Sequence, residues 1–87
     1  MAYQIEFNRR AAKEFQALPA PLYTRVRGAL EALREEPRPA GSVKLKGWPN
    51  AYRVRVSVYR IVYEVDDAAR VIVVKAIQHR KDVYRDL

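Results

Sequence analysis

The chain has 87 residues, with 17 Lys plus Arg against 10 Asp plus Glu, one His and no Cys, for a formal net charge of +7. That length accommodates a single domain and excludes a multidomain enzyme or a large cofactor-binding fold. Without Cys there is no disulfide framework, thiolate nucleophile or Cys-rich zinc site, and one His with no His/Cys/carboxylate cluster argues against a structural metal.

Tyr3, Ile5 and Phe7 alternate with Gln4 and Glu6, the period-two pattern of a short strand. Asn8 follows where an N-cap belongs, and Ala11, Ala12, Phe15 and Leu18 mark one helical face. Pro19-Ala20-Pro21 stops that helix, and Pro21 can open the next, where a missing N–H costs nothing. Leu22, Val26, Ala29, Leu30 and Leu33 continue at helical spacing until Pro37 and Pro39, which remove donors and restrict their predecessors. The expected product is a helical hairpin.

After Gly41 the period drops to two. Val43 and Leu45 alternate with Lys44 and Lys46, and Gly47-Trp48-Pro49-Asn50 reads as a loop. Tyr52, Val54 and Val56 alternate with Arg53, Arg55 and Ser57; Tyr59, Ile61, Tyr63 and Val65 alternate with Arg60, Val62 and Glu64. Asp66-Asp67-Ala68-Ala69 reads as a turn, which its two carboxylates suit. Residues 71–78 are apolar at nearly every position, predicting a central strand covered on both faces, and 79–87 is expected to form one turn of helix. No repeat or linker divides the chain, so residues 1–87 are expected to form one small α+β domain. Its parts would be an N-terminal strand, a helical hairpin packed on one face, an antiparallel sheet of about four strands and a short C-terminal helical turn. The longest uncharged apolar run, 71–74, is too short to span a membrane, and residues 1–10 lack the apolar stretch of a signal peptide. A cytoplasmic protein is expected.

Charge is unevenly placed. Residues 1–43 carry a net +2 and residues 44–87 a net +5, and the segment 44–60 holds Lys44, Lys46, Arg53, Arg55 and Arg60 with no acid. Twelve of the basic residues are Arg, whose planar fork suits bidentate recognition of phosphate. The charge reads either as a site for a polyanionic partner, nucleic acid or an acidic protein, or as a solubilising positive surface. Since the apolar side of 52–56 must face the helices, Arg53 and Arg55 project from the opposite face. Gly-rich phosphate loops and nucleophile elbows are absent. What remains is a set of cations with aromatic residues interleaved, the composition that grips phosphates and stacks on unpaired bases. Tyr52 and Tyr59 share the apolar parity of their strands and read as core. Trp48 is open to two readings, packing over the core edge or stacking on a base. Tyr84 stands in a polar tail beside Arg80 and Lys81 and reads as functional. His79 alone has an ordinary pKa suited to proton transfer near neutrality, though a lone His at a strand end is also a structural feature. Its parity is opposite to that of Arg80, so a regular strand cannot bring both into one site.

Read together, Lys44-Leu45-Lys46-Gly47, Tyr52-Arg53-Val54-Arg55, Tyr59-Arg60-Ile61-Val62-Tyr63-Glu64-Val65 and His79-Arg80-Lys81-Asp82-Val83-Tyr84 resemble the RelE family of bacterial and archaeal toxins. The opening strand and helical hairpin fit the same family, so the resemblance spans essentially the whole chain. It implies a ribosome-dependent endoribonuclease that cuts messenger RNA in the decoding A site, beside 16S rRNA, and a RelB-like antitoxin as partner. It implies no small-molecule ligand, no metal and no cofactor. The family's functional positions fall on Arg53, Arg55, Arg60, Arg80 and Tyr84; Lys44, Lys46 and Lys81, members of the basic and aromatic set, are expected as further RNA contacts. Studied relatives have Lys where Arg53 and Arg55 stand, and Arg, unlike Lys, does not release its proton to act as a base. A rival implication is a ParE-like toxin, which shares the fold but binds DNA gyrase; a third is a basic module that only binds ribosomal RNA.

Overall fold

The switch from helical to period-two spacing near Gly41 divides the chain into a helical layer and a sheet in the computed structural model, which describes residues 2–79. The elements in order are β1 (Gln4–Phe7), α1 (Arg9–Gln16), α2 (Ala20–Glu35), β2 (Val43–Lys44), β3 (Ala51–Val56), β4 (Tyr59–Asp66) and β5 (Val71–His79). Asn8 caps α1 as its position predicts, its Oδ1 accepting from the Ala11 N–H at 2.8 Å. Pro19 stands at the cap of α2 and Pro21 within its first turn, so Ala20 rather than Pro21 opens the helix.

The sheet has five strands in the order β1-β5-β4-β3-β2. β2 to β5 form an antiparallel meander, and β1 lies parallel to β5 with Ile5 beside Ile72 and Phe7 beside Val74. The sheet is therefore mixed, correcting the antiparallel sheet of about four strands. The cause lies in β5. A central strand needs partners on both edges, β4 takes one, and β1 is the strand left to fill the other. Nor is β5 fully covered on both faces, as its apolar run predicted. The helices lie on one face, and Val71, Val73 and Lys75 on the other are only half-buried. Of the helical turn expected over 79–87, His79 belongs to β5 and the rest lies outside the described residues.

Alternation puts Val54, Ile61, Tyr63, Val65, Ile72, Val74 and Ile77 against Ala11, Val26, Leu30 and Leu33 of the helices. At about 25 cal/mol per Å² of apolar area removed from water, this layer supplies the main favourable term in folding. A bulge interrupts β5: Tyr63 pairs with Val74 but Val62 pairs with Ala76, leaving Lys75 unmatched. Beyond it the strand's phase is inverted, so Ala76 and Gln78 lie on the open face and Ile77 and His79 on the helical face. Where β1 ends, the Glu14 carboxylate accepts from the Ile77 N–H at 2.8 Å, so the helix supplies the hydrogen bond that the shorter strand cannot.

Candidate functional site

Arg53 and Arg55 occupy alternate positions of β3, and Arg55 stands directly opposite Arg60 of β4. All three therefore leave the sheet on the face away from the helices, as strand parity predicts. With Gly41 and Val43 they line a depression of about 260 Å³. Like charges directly opposite one another destabilise a strand pair, so the Arg55–Arg60 opposition works against the fold unless an anion lies between them. Arg60 sharpens the point. It is only 5% exposed, and its Nη1 has no hydrogen-bond partner among the described residues. A buried, unsatisfied cationic donor is costly, and a phosphate oxygen would supply both the missing acceptor and the missing charge. Among the described residues no acidic side chain lines this depression.

Beside it, sharing Arg53 as a wall, runs a larger groove of about 700 Å³ across β3, β4 and β5. Its floor follows the cross-strand row Arg53–Val62–Ala76. Leu45, Lys46 and Trp48 of the loop before β3 form one side and Asn8 and Arg10 the other. Trp48 lies at the surface: it is 40% exposed, and its Nε1–H donates to Glu64 Oε2 at 2.6 Å. Lys75 Nζ lies 3.5 Å from the other Glu64 oxygen and balances its charge.

The remaining sequence candidates are dispersed. Lys46 lines the groove. Lys44 pairs with Tyr52 and so starts from the helical face, although β2 is an edge of two residues and the side chain is exposed. His79 pairs with Tyr59, its ring 5.5 Å from the Tyr59 ring and edge-on, on the face away from the arginines. Arg80, Lys81 and Tyr84 lie outside the described residues. Gln78, buried and opposite Arg60 on the open face, is missed by sequence reasoning, because one Gln in an apolar run carries no motif signal. No group of His, Cys, Asp or Glu among the described residues could hold a metal ion.

Strong electrostatic coupling lies instead at the far end of the helical face. Arg38 binds Asp67 at 2.6 and 3.3 Å, and the Tyr3 hydroxyl donates to the same carboxylate at 2.6 Å. Arg38, then Tyr3, hold the Asp67 carboxyl below the usual carboxylate range. The turn at Asp66-Asp67 is confirmed, Asp66 Oδ1 accepting from the Ala69 N–H, but Asp67 also ties the loop after α2 to this end of the sheet. Arg38 further donates to the Tyr52 hydroxyl at 3.0 Å. The Tyr52 ring stacks on buried Tyr63, whose hydroxyl burial pushes up to about 12 and which donates to Pro37 O at 2.7 Å.

Residues 5–84 match a family model for the ParE toxin of type II toxin–antitoxin systems. Over 99% of its length the chain is 33% identical to the mRNA interferase toxin RelE of Escherichia coli, 94% of which is covered. The chain is a RelE-family toxin of a type II toxin–antitoxin system. Its α+β fold matches the isolated Escherichia coli RelE toxin with a TM-score of 0.81 at 30% identity, covering 99% of this chain and 100% of that one. The archaeal RelE–RelB complex from Pyrococcus horikoshii gives a TM-score of 0.81 at 29% identity, covering 92% and 97% of the two chains. No helix among the described residues of this RelE-family toxin is long and apolar enough to cross a membrane.

Proposed function

We propose that this toxin is an endoribonuclease that cuts messenger RNA in the decoding site of the ribosome and thereby stops translation. The observation that carries the reading is the convergence of Arg53, Arg55 and Arg60 on one depression, with the Arg60 guanidinium buried and incompletely satisfied. The likeness to an mRNA interferase along nearly the whole chain supports the same conclusion.

In the proposed reaction a ribose 2′-oxygen attacks the adjacent phosphorus and the bond to the 5′-oxygen breaks. The 2′-hydroxyl loses its proton, the departing 5′-oxygen gains one, and the products are a 2′,3′-cyclic phosphate and a 5′-hydroxyl. The nucleophile belongs to the substrate, so the reaction calls for no metal or cofactor. Alignment and charge stabilisation carry the rate. Arg53 and Arg60 hold the scissile phosphate and the charge that develops on it. Arg55 positions the phosphate, since its guanidinium keeps its proton. Arg80 stabilises the leaving oxygen and Tyr84 orients the nucleotide. His79 stands on the other face, so among the described residues the depression has no neutral-pH base, which supports a role for the ribosome in shaping the substrate. An acidic RelB-like antitoxin neutralises the basic face; the solved RelE–RelB complex of a relative supports a RelB-like partner. Its affinity should fall as salt rises, because exposed charges are screened beyond about 8–10 Å.

The experiment is incubation of purified toxin with message alone and with programmed ribosomes, mapping the RNA ends. Cleavage confined to the ribosome supports the proposal, and equal cleavage in both refutes ribosome dependence. The matching family model is that of ParE, which favours gyrase as a second reading. No cleavage in either sample, with DNA damage preceding translation arrest on expression, would establish that one.

A further inference from the structure

We infer that the groove beside the arginine depression is a nucleobase subsite, with Trp48 as its stacking platform. This rests on the reading of the protein as an RNA-cleaving toxin and adds the position of a base flanking the scissile phosphate. Four observations converge. The groove's volume of about 700 Å³ lies in the range of small-ligand sites and exceeds the space a nucleobase needs. Its floor of Val62 and Ala76 and its wall of Leu45 are apolar, suiting a flat aromatic ring, while Lys46 and Arg53 line it with positive charge. Arg53 also lines the phosphate depression, so one nucleotide can place its phosphate in the first site and its base in the second.

Trp48 supplies the fourth. An exposed indole in a loop would ordinarily lose rotamer freedom on stacking, but this one is already held. Its Nε1–H donates to Glu64 at 2.6 Å, and Lys75 fixes Glu64 from the other side at 3.5 Å. The ring edge is tethered while 40% of the residue stays open to solvent. The charge that would repel RNA is occupied by the same contacts. Base–aromatic stacking is tolerant of base identity, so the subsite adds affinity and position and discriminates mainly by stacking strength.

Trp48 is the single tryptophan of the chain, so its emission reports the subsite directly. The probe is a 2′-O-methyl hexanucleotide, which has no nucleophilic hydroxyl, compared with an abasic oligomer of the same length and with inorganic phosphate. The hexanucleotide should quench Trp48 emission and bind roughly tenfold or more tightly than the abasic oligomer. Phosphate should leave the emission nearly unchanged. By calorimetry, Trp48→Leu should bind both oligomers equally, while Trp48→Phe should keep most of the preference; Trp48→Leu should melt cooperatively, because the residue lies outside the core. Equal binding of the two oligomers by the parent protein, or an undiminished preference in Trp48→Leu, overturns the inference. The ribosomal assay separates the two claims. Base-dependent quenching without cleavage keeps the subsite and sinks the enzyme, whereas intact cleavage without quenching does the reverse.

Discussion

Arg60→Met should make the free toxin more stable and nearly inactive. In the absence of RNA, Arg60 Nη1 is a buried donor without a partner among the described residues, and such a group costs about 1–3 kcal/mol. Directly opposed like charges add roughly 0.2–1 kcal/mol, and the register sets Arg60 against Arg55. Met retains an unbranched apolar stem, and imperfect repacking should return less than about 1.5 kcal/mol of that gain. The net expectation is a stabilisation of about 1–2 kcal/mol. For a domain of this size each kcal/mol moves Tm by about 4–8 °C, so thermal unfolding in phosphate-free buffer should shift upward by roughly 5–15 °C. Cleavage on programmed ribosomes should fall by about 10²–10³-fold, the usual loss when a positioned donor to a developing charge is removed. Adding the uncleavable oligomer should raise the Tm of the parent protein by mass action and that of Arg60→Met by much less. If Arg60→Met melts well below the parent in phosphate-free buffer, the guanidinium is a structural strut and the anion-site argument fails.

Other outcomes test neighbouring parts of the argument. Arg55→Lys puts a group that can lose its proton into a cationic site, so the pH–rate profile should gain a new limb or a higher rate; His79→Ala should leave the profile unchanged, and flattening it would contradict the placement of His79 beside Tyr59. Asp67, whose carboxyl is held low by Arg38 and Tyr3, contributes stability that is complete above about pH 4 and is lost as pH falls further. The stability gap between parent and Asp67→Asn should therefore close on acidification, as followed by circular dichroism. Tyr63→Phe should cost about 1 kcal/mol through the lost hydrogen bond to Pro37. Because burial raises the Tyr63 hydroxyl to about 12, its contribution is complete below about pH 10 and fades as pH rises through 12, so denaturant unfolding should show that gap closing in alkali.

The face that carries the arginines is legible in the amino-acid sequence. Strand alternation is a local property, so Tyr52, Val54 and Val56 on the core side place Arg53 and Arg55 on the other, and the same parity places Arg60 with them. The Asn8 cap and the proline breaks around the hairpin are equally local, and the fold bears both out. His79 is not legible in this way. Residues 71–78 are apolar at both parities, so the sequence offers no phase, and the bulge at Lys75 inverts whatever phase is assumed. Lys44 belongs to the same acid-free segment as the arginines, yet its pairing with Tyr52 starts it from the opposite face.

From sequence alone come the α+β class, the helical hairpin, the basic face and the three arginines on it, because each follows from periodicity over a few residues. Only the tertiary structure decides that β1 lies parallel to β5, that Arg60 is buried with a nitrogen left unsatisfied among the described residues, and that Trp48 is tethered to Glu64 over an open groove. Those are properties of residues far apart in the chain. Burial, register and the partner left to each polar atom are set by packing, which no local pattern encodes.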